Sequence, residues 1–100
     1  MMREISAAQA MEHAQRGDAV ILDVRPQVVR HQGSVPGALV VEPGELTGKL
    51  MANPRVDRDA EVAVVALNAQ TDEIESSLSR LGFTKLVRIA GGFMALRGSA

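Results

Sequence analysis

Apolar positions along this chain fall in short runs set off by polar punctuation, and the spacing inside each run decides which element it makes. Ala7, Ala10, Met11 and Ala14 recur at helical spacing behind Ser6 and Gln9, a capping box, and Gly17 stands where a helix ends. The pattern predicts a helix over Ala7–Arg16. Ala19-Val20-Ile21-Leu22 is a continuous apolar run entering Asp23, which suits a strand buried on both faces of a parallel sheet. Arg25-Pro26 predicts a turn, because proline cannot continue a central strand. Gln27–Gln32 reads as a short helix with Val28 and Val29 inward, and Gly33–Gly37 as a turn before a short strand over Ala38–Val41. Glu42-Pro43-Gly44 breaks the pattern, Glu45–Met51 predicts a brief helix ended by Asn53-Pro54, and 52–60 is expected to be exposed.

Glu61–Leu67 is the strongest strand pattern in the chain. Asp72 with Glu75 reads as a second capping box, opening a helix through Leu81 whose buried stripe is Ile74, Leu78 and Leu81. Gly82-Phe83 closes that helix, Leu86–Ile89 predicts a last strand, and Gly91-Gly92, expected to turn at positive φ, lead into a short terminal helix. Strands alternating with helices predict an α/β domain with a mainly parallel sheet covered on both faces by right-handed crossovers. In such sheets the ligand crevice lies at the carboxyl ends of the strands, where Asp23, Asn68 and Ala90 stand.

Composition narrows the function classes. One hundred residues, 46% apolar, suffice for one compact core, so a single domain over 1–100 is expected. Eleven basic against twelve acidic side chains, with no long run of either sign, argue against nucleic acid and anionic membrane as partners. The absence of Trp and Tyr removes the stacking surfaces of single-strand binders. The longest apolar segment is too short to span a bilayer and the amino terminus lacks the pattern of a signal peptide, so a cytoplasmic location is expected. There is no cysteine, which rules out disulfides, thiolate metal sites and thiol nucleophiles. His13 and His31, the two imidazoles, have no metal-ligand spacing, so neither metal nor cofactor is expected.

Three separated segments together resemble one known family, the rhodanese-like domains. Val20-Ile21-Leu22-Asp23-Val24-Arg25 resembles its early strand and turn, Gly33-Ser34-Val35-Pro36-Gly37-Ala38 its Gly-His-Ile-Pro-Gly-Ala element, and Leu81-Gly82-Phe83 through Gly91-Gly92-Phe93 its closing strand. The resemblance implies a three-layer α/β sandwich whose central sheet has about five strands. It also implies a loop after the fourth strand that in active members carries a cysteine, whose thiolate takes up sulfur as a persulfide cradled by backbone N–H groups and a helix amino end.

This chain departs from the family at that loop. Leu67 or Asn68 stands where the nucleophile would be, depending on where the gap falls, and the loop is shorter than usual. The following helix opens Asp72-Glu73-Ile74-Glu75, and carboxylates there occupy the positive potential that a sulfur anion would use. The histidine before Pro-Gly is replaced by Ser34.

The candidate binding residues are accordingly the loop Leu67, Asn68, Ala69, Gln70, Thr71 and Asp72, supported by Asp23 and Arg25; no catalytic residue is assigned. Asn68, Gln70 and Thr71 could hold an anion, or the loop could simply satisfy its own backbone, with Thr71 or Asp72 as helix cap. Asp23 is expected to organise the turn after its strand by accepting backbone hydrogen bonds, with Arg25 as its structural partner. The function expected is a catalytically inactive rhodanese-like module that binds a protein partner or small ligand. Two alternatives stand beside it: an enzyme using Asp23, Asp72 or His31 for acid–base chemistry, and a non-covalent binder of sulfur anions.

Overall fold

A computed structural model describes residues 2–30, 33, 35, 37–52 and 57–99 of the chain. Its elements run β1 (Arg3–Ile5), α1 (Ala7–Gln15), β2 (Ala19–Asp23), α2 (Gln27–Arg30), β3 (Leu39–Val40), a 3₁₀ turn (Pro43–Glu45), α3 (Leu46–Ala52), β4 (Glu61–Val65), a second 3₁₀ turn (Asn68–Gln70), α4 (Thr71–Arg80), β5 (Leu86–Ile89) and α5 (Gly92–Ser99). The strands form one parallel sheet in the order β1-β5-β4-β2-β3.

The period of two in a strand explains why the apolar runs are continuous. Along β4, Val62 and Val64 enter one core with Leu22, Leu46, Leu50, Ile74, Leu78 and Phe83, whereas Ala63 and Val65 enter the other with Ile21, Ala10, Val87, Phe93 and Leu96. One face of the sheet is thus covered by α3 and α4 and the other by α1 and α5, the three-layer α/β arrangement expected. Burial on both faces keeps β2 and β4 apolar between their ends, whereas β5 carries a half-buried Arg88 beside the edge strand β1.

The first helix is capped as predicted: the Ser6 hydroxyl accepts from the Gln9 N–H at 3.1 Å, and the Gln9 side chain accepts from the Ser6 N–H at 3.0 Å. Gly17, at φ 79°, and Gly82, at φ 98°, end α1 and α4 in the left-handed conformation that glycine tolerates.

Several expectations are corrected. Strand β1 has no apolar run to announce it: it is an edge strand in which Ile5 is buried while Arg3 and Glu4 face water, and its register sets Glu4 beside Arg88 in a 3.2 Å ion pair. Val28 does not point inward; it is 74% exposed, because the four-residue α2 is too short to lay an apolar stripe on the sheet. Gln32, which was to extend that helix, and Asn53-Pro54 lie outside the described residues. β4 stops at Val65 rather than Leu67, and Leu81 is half-buried beyond the end of α4.

The Asp72–Glu75 capping box does not form. Helix α4 starts at Thr71, with Gln70 as its cap residue and no side-chain cap, because the 3₁₀ turn already satisfies the first amide of the helix: the Thr71 N–H donates to the Asn68 carbonyl. Among the described residues, no helix is long and apolar enough to cross a bilayer.

Candidate functional site

At the carboxyl end of β2 the chain turns away from the sheet and buries an ion pair. The Asp23 carboxylate, fully buried, accepts three hydrogen bonds from Arg25: from its backbone N–H at 3.0 Å, from Nε at 2.9 Å and from Nη2 at 2.7 Å. The same Nη2 donates to the Gly33 carbonyl at 3.1 Å, and the guanidinium lies 4.0 Å from the centroid of the Phe93 ring. The planar guanidinium thus meets one carboxylate side-on and one aromatic ring face-on, which a lysine could not reproduce. Gly33 is fixed by this arrangement, since its φ is +140° and a Cβ there would stand 2.8 Å from the Phe93 ring. The turn-organising role expected of Asp23 and its pairing with Arg25 are both visible.

The loop after β4 closes on itself. The Leu67 N–H donates to the Gln70 side-chain oxygen at 3.0 Å, the Gln70 N–H to the Leu67 carbonyl at 2.9 Å, and the Thr71 hydroxyl to the Leu67 carbonyl at 3.3 Å. The Gln70 amide nitrogen then reaches across to the Val24 carbonyl at 3.1 Å and joins the loop to the end of β2. The amides of Leu67, Gln70 and Thr71 are thereby engaged within the loop, and the Thr71 hydroxyl donates to a carbonyl rather than accepting as a cap.

Beside this loop a cleft of about 440 Å³ opens at the carboxyl ends of β4 and β5. Arg25, Leu67, Asn68 and Thr71 line it, together with Met2, Arg88, Phe93, Met94 and the Gly91-Gly92 turn. Ala69, Gln70, Asp72 and Asp23, the other candidate residues, do not line it, and His31 lies outside the described residues. The crevice expected at Asp23, Asn68 and Ala90 takes in the turn after Ala90, but Phe93 and Met94 beyond that turn were not singled out as site residues. Their signal was Gly91-Gly92, at φ 76° and 55°, which swings Phe93 back over Arg25 and leaves Met94 66% exposed. A second cavity of similar size, about 460 Å³, is lined by Arg3, Glu61, Thr84, Lys85, Leu86 and Val87, at the opposite end of the sheet where β1, β4 and β5 begin. Size does not separate the two; topology does, because ligands of open α/β sheets sit outside the carboxyl ends of the strands.

The chain has no cysteine, so the cleft has no thiol nucleophile. Asp23 is buried in its ion pair and Asp72 is exposed on α4 away from the cleft lining, so the carboxylates considered for acid–base work do not converge on one point.

The family model of the rhodanese-like domain matches residues 6–99. Solved structures share the fold. The human single-domain sulfurtransferase TSTD1 is 20% identical, with all of this chain and 99% of that one covered and a TM-score of 0.72. A rhodanese-related protein from Thermoplasma volcanium is 27% identical over 98% of this chain and 93% of that one, at a TM-score of 0.70. The rhodanese-like domain of the Alr3790 protein from Anabaena is 21% identical over 98% of this chain and 75% of that one, at 0.74. No curated protein matches the sequence.

Two predictions follow from the geometry. Asp23→Asn leaves the Arg25 guanidinium buried without its counter-charge and lowers unfolding free energy by about 3–5 kcal/mol in urea titrations, and Asp23→Asn with Arg25→Met together cost less than the sum of the single changes. Gln70→Glu keeps the acceptor for the Leu67 N–H but sets a carboxylate against the Val24 carbonyl. Native contacts then favour the protonated acid and raise its pKa above the unfolded value near about 4.3. Stability relative to wild type is therefore best retained at low pH and falls as pH rises through the raised value. Urea titrations at about pH 4 and about pH 7 check this, and a deficit independent of pH would dismiss the Gln70–Val24 link.

Proposed function

The chain belongs to the rhodanese-like domain family, and from that membership together with the missing thiol we propose that it is a catalytically inactive member acting as a regulatory binding module. Its cleft at the carboxyl edge of the sheet takes up a protein segment or small ligand, and its site residues are Leu67, Asn68 and Thr71 of the loop, with Asp23, Arg25 and Gln70 holding that loop in place. The observation that carries this reading is the state of the loop after β4. Where an active member needs a thiolate surrounded by free N–H groups, this loop presents Leu67 and Asn68, and the Gln70 carboxamide takes the Leu67 N–H.

Sulfurtransferase activity, which the name of the human neighbour carries, needs a sulfur nucleophile to form the S–S bond of a persulfide, and the chain has none. Non-covalent capture of a sulfur anion is disfavoured by the same loop bonds and by Asp72 and Glu73 in the first turn of α4. One domain over 1–100, a cytoplasmic setting, and no role for nucleic acid, membrane or cofactor complete the proposal.

Two experiments test it. The wild type is expected to transfer no sulfur from thiosulfate to cyanide, and Asn68→Cys alone is expected to stay at background, because a thiol placed there meets a closed loop with an acidic helix start; efficient turnover by that variant would overturn the reading of the loop. Affinity capture from extract of the protein's own cells is expected to yield a partner that is lost when residues 68–72 are replaced by Gly and Ser. Retention of every captured protein by that variant would move the binding surface elsewhere.

A further inference from the structure

Strand β5 alternates between the two faces of the sheet, and Val87 and Ile89 enter the core beneath α1 and α5. On its other face Leu86 packs against the core beneath α3 and α4, but two residues later that face carries Arg88. Arg88 is in register with Val64 of β4 on one side and with Glu4 of β1 on the other, so the three side chains stand in one row across the face. The apolar pattern of β5 thus breaks near its carboxyl end, where the cleft opens. An arginine there covers sheet with its stem, as a surface residue would, and its side chain also lines the cleft.

The cleft has a buried apolar floor, made by Met2, Val64, Ile89 and Phe93, and two exposed apolar lips, Leu67 and Met94. Its volume of about 440 Å³ is that of a small-ligand site. Among the described residues the charged groups that line it are Arg25 and Arg88, and no carboxylate does. Arg25 adds no net charge, because the fully buried Asp23 carboxylate accepts from its Nε and Nη2. Arg88 is held more loosely: its 3.2 Å pair with Glu4 joins side chains that are 41% and 52% exposed, and a pair so open to water adds little stability. A ligand carboxylate can take the guanidinium while Glu4 returns to solvent.

Resting on the binding-module reading, we propose that the cleft takes a small monocarboxylic acid with a branched apolar tail, its carboxylate on Arg88 and its tail between the two lips and the floor. One exchangeable guanidinium matches a single negative charge. A dianion such as thiosulfate brings a second charge that finds no partner, and has no apolar body to cover the floor. The amides of Leu67, Gln70 and Thr71 are already engaged, so a peptide, which brings an amide with every residue, finds fewer partners here than an acid whose one polar group is its carboxylate. Asp72 and Glu73 do not line the cleft and so do not stand against the acid.

The probe is isocaproate, titrated into the intact chain to about 20 mM and followed by amide and methyl resonances. Saturable shifts at Leu67, Arg88 and Met94 are expected with a Kd of about 1 mM or tighter. Isocaproamide is expected to bind at least about ten-fold more weakly, and thiosulfate to leave those resonances in place. Arg88→Met is expected to lose at least about ten-fold toward the acid and nothing toward the amide. Glu4→Gln removes the competing carboxylate and is expected to tighten isocaproate about two- to three-fold, which an Arg88 of structural use alone would not give. If Arg88→Met does not fold, Glu4→Gln and the comparison of acid with amide decide. Leu67→Ser with Met94→Ser is expected to weaken acid and amide alike. Equal binding of acid and amide, or an affinity unchanged in folded Arg88→Met, would overturn recognition by Arg88. A silent isocaproate, or shifts confined to another face, would overturn the small acid as occupant. So would an acetylated tripeptide ending in leucine, with a free carboxylate, that shifts these resonances when isocaproate does not. The binding-module reading is judged separately, by the loop-dependent capture.

Discussion

The buried Asp23–Arg25 pair is the constraint on which the carboxyl edge of this molecule depends. It sits where β2 leaves the sheet, and through one guanidinium it reaches the Gly33 carbonyl and the face of Phe93. Strand β2, the segment at Gly33 and the start of α5 are far apart in sequence, and this group brings them to one point. Removing two charges from water is costly, and the geometry offsets that cost with a bidentate contact, a backbone N–H on the carboxylate, a carbonyl on the guanidinium and an aromatic face. What the pair supplies is position: Phe93 cannot be held over Arg25 unless Gly33 lacks a side chain and the Gly91-Gly92 turn adopts positive φ.

The loop after β4 hangs from the same frame. Gln70 donates to the carbonyl of Val24, the residue between the two partners of the ion pair, and accepts from Leu67. A loop that has to bind an anion keeps its N–H groups turned outward and unsatisfied until the ligand arrives. Here a neutral carboxamide from within the loop takes that place, and the acidic first turn of α4 is left facing solvent. The missing cysteine, the Gln70 clasp on the Leu67 amide and the carboxylates at the start of α4 are three separate features of this loop.

How much of this could be read in the sequence follows from how local each cause is. Strands β2 and β4 were legible because a strand buried on both faces is a nearly unbroken apolar run, β5 because Leu86, Val87 and Ile89 are apolar around a half-buried Arg88, and α1 because its capping box lies within four residues. Strand β1 was not, because an edge strand is held by pairing with β5 and needs only Ile5 buried. The inward placement of Val28 failed because apolar character alone does not say whether a four-residue helix reaches the core. At the site, the link between Asp23 and Arg25 was legible from two turn positions one residue apart, whereas Gln70 looked like one more polar loop residue. Its role depends on the Val24 carbonyl, 46 residues away. The exposed Met94 was likewise hidden, since its position is decided by the turn two residues earlier.

The frame around the cleft rests on a few groups, none of them a thiol, since the chain has no cysteine. The ion pair, the glycines at 33, 91 and 92 and the Gln70 clasp all fix backbone at the carboxyl edge and leave the opposite end of the sheet untouched. Two exposed apolar side chains, Leu67 and Met94, line the cleft beside this frame. Backbone fixed in this way has little conformational entropy left to lose if a ligand enters the cleft. The same few groups hold β2, the loop after β4 and the β5–α5 turn in fixed relation around the cleft.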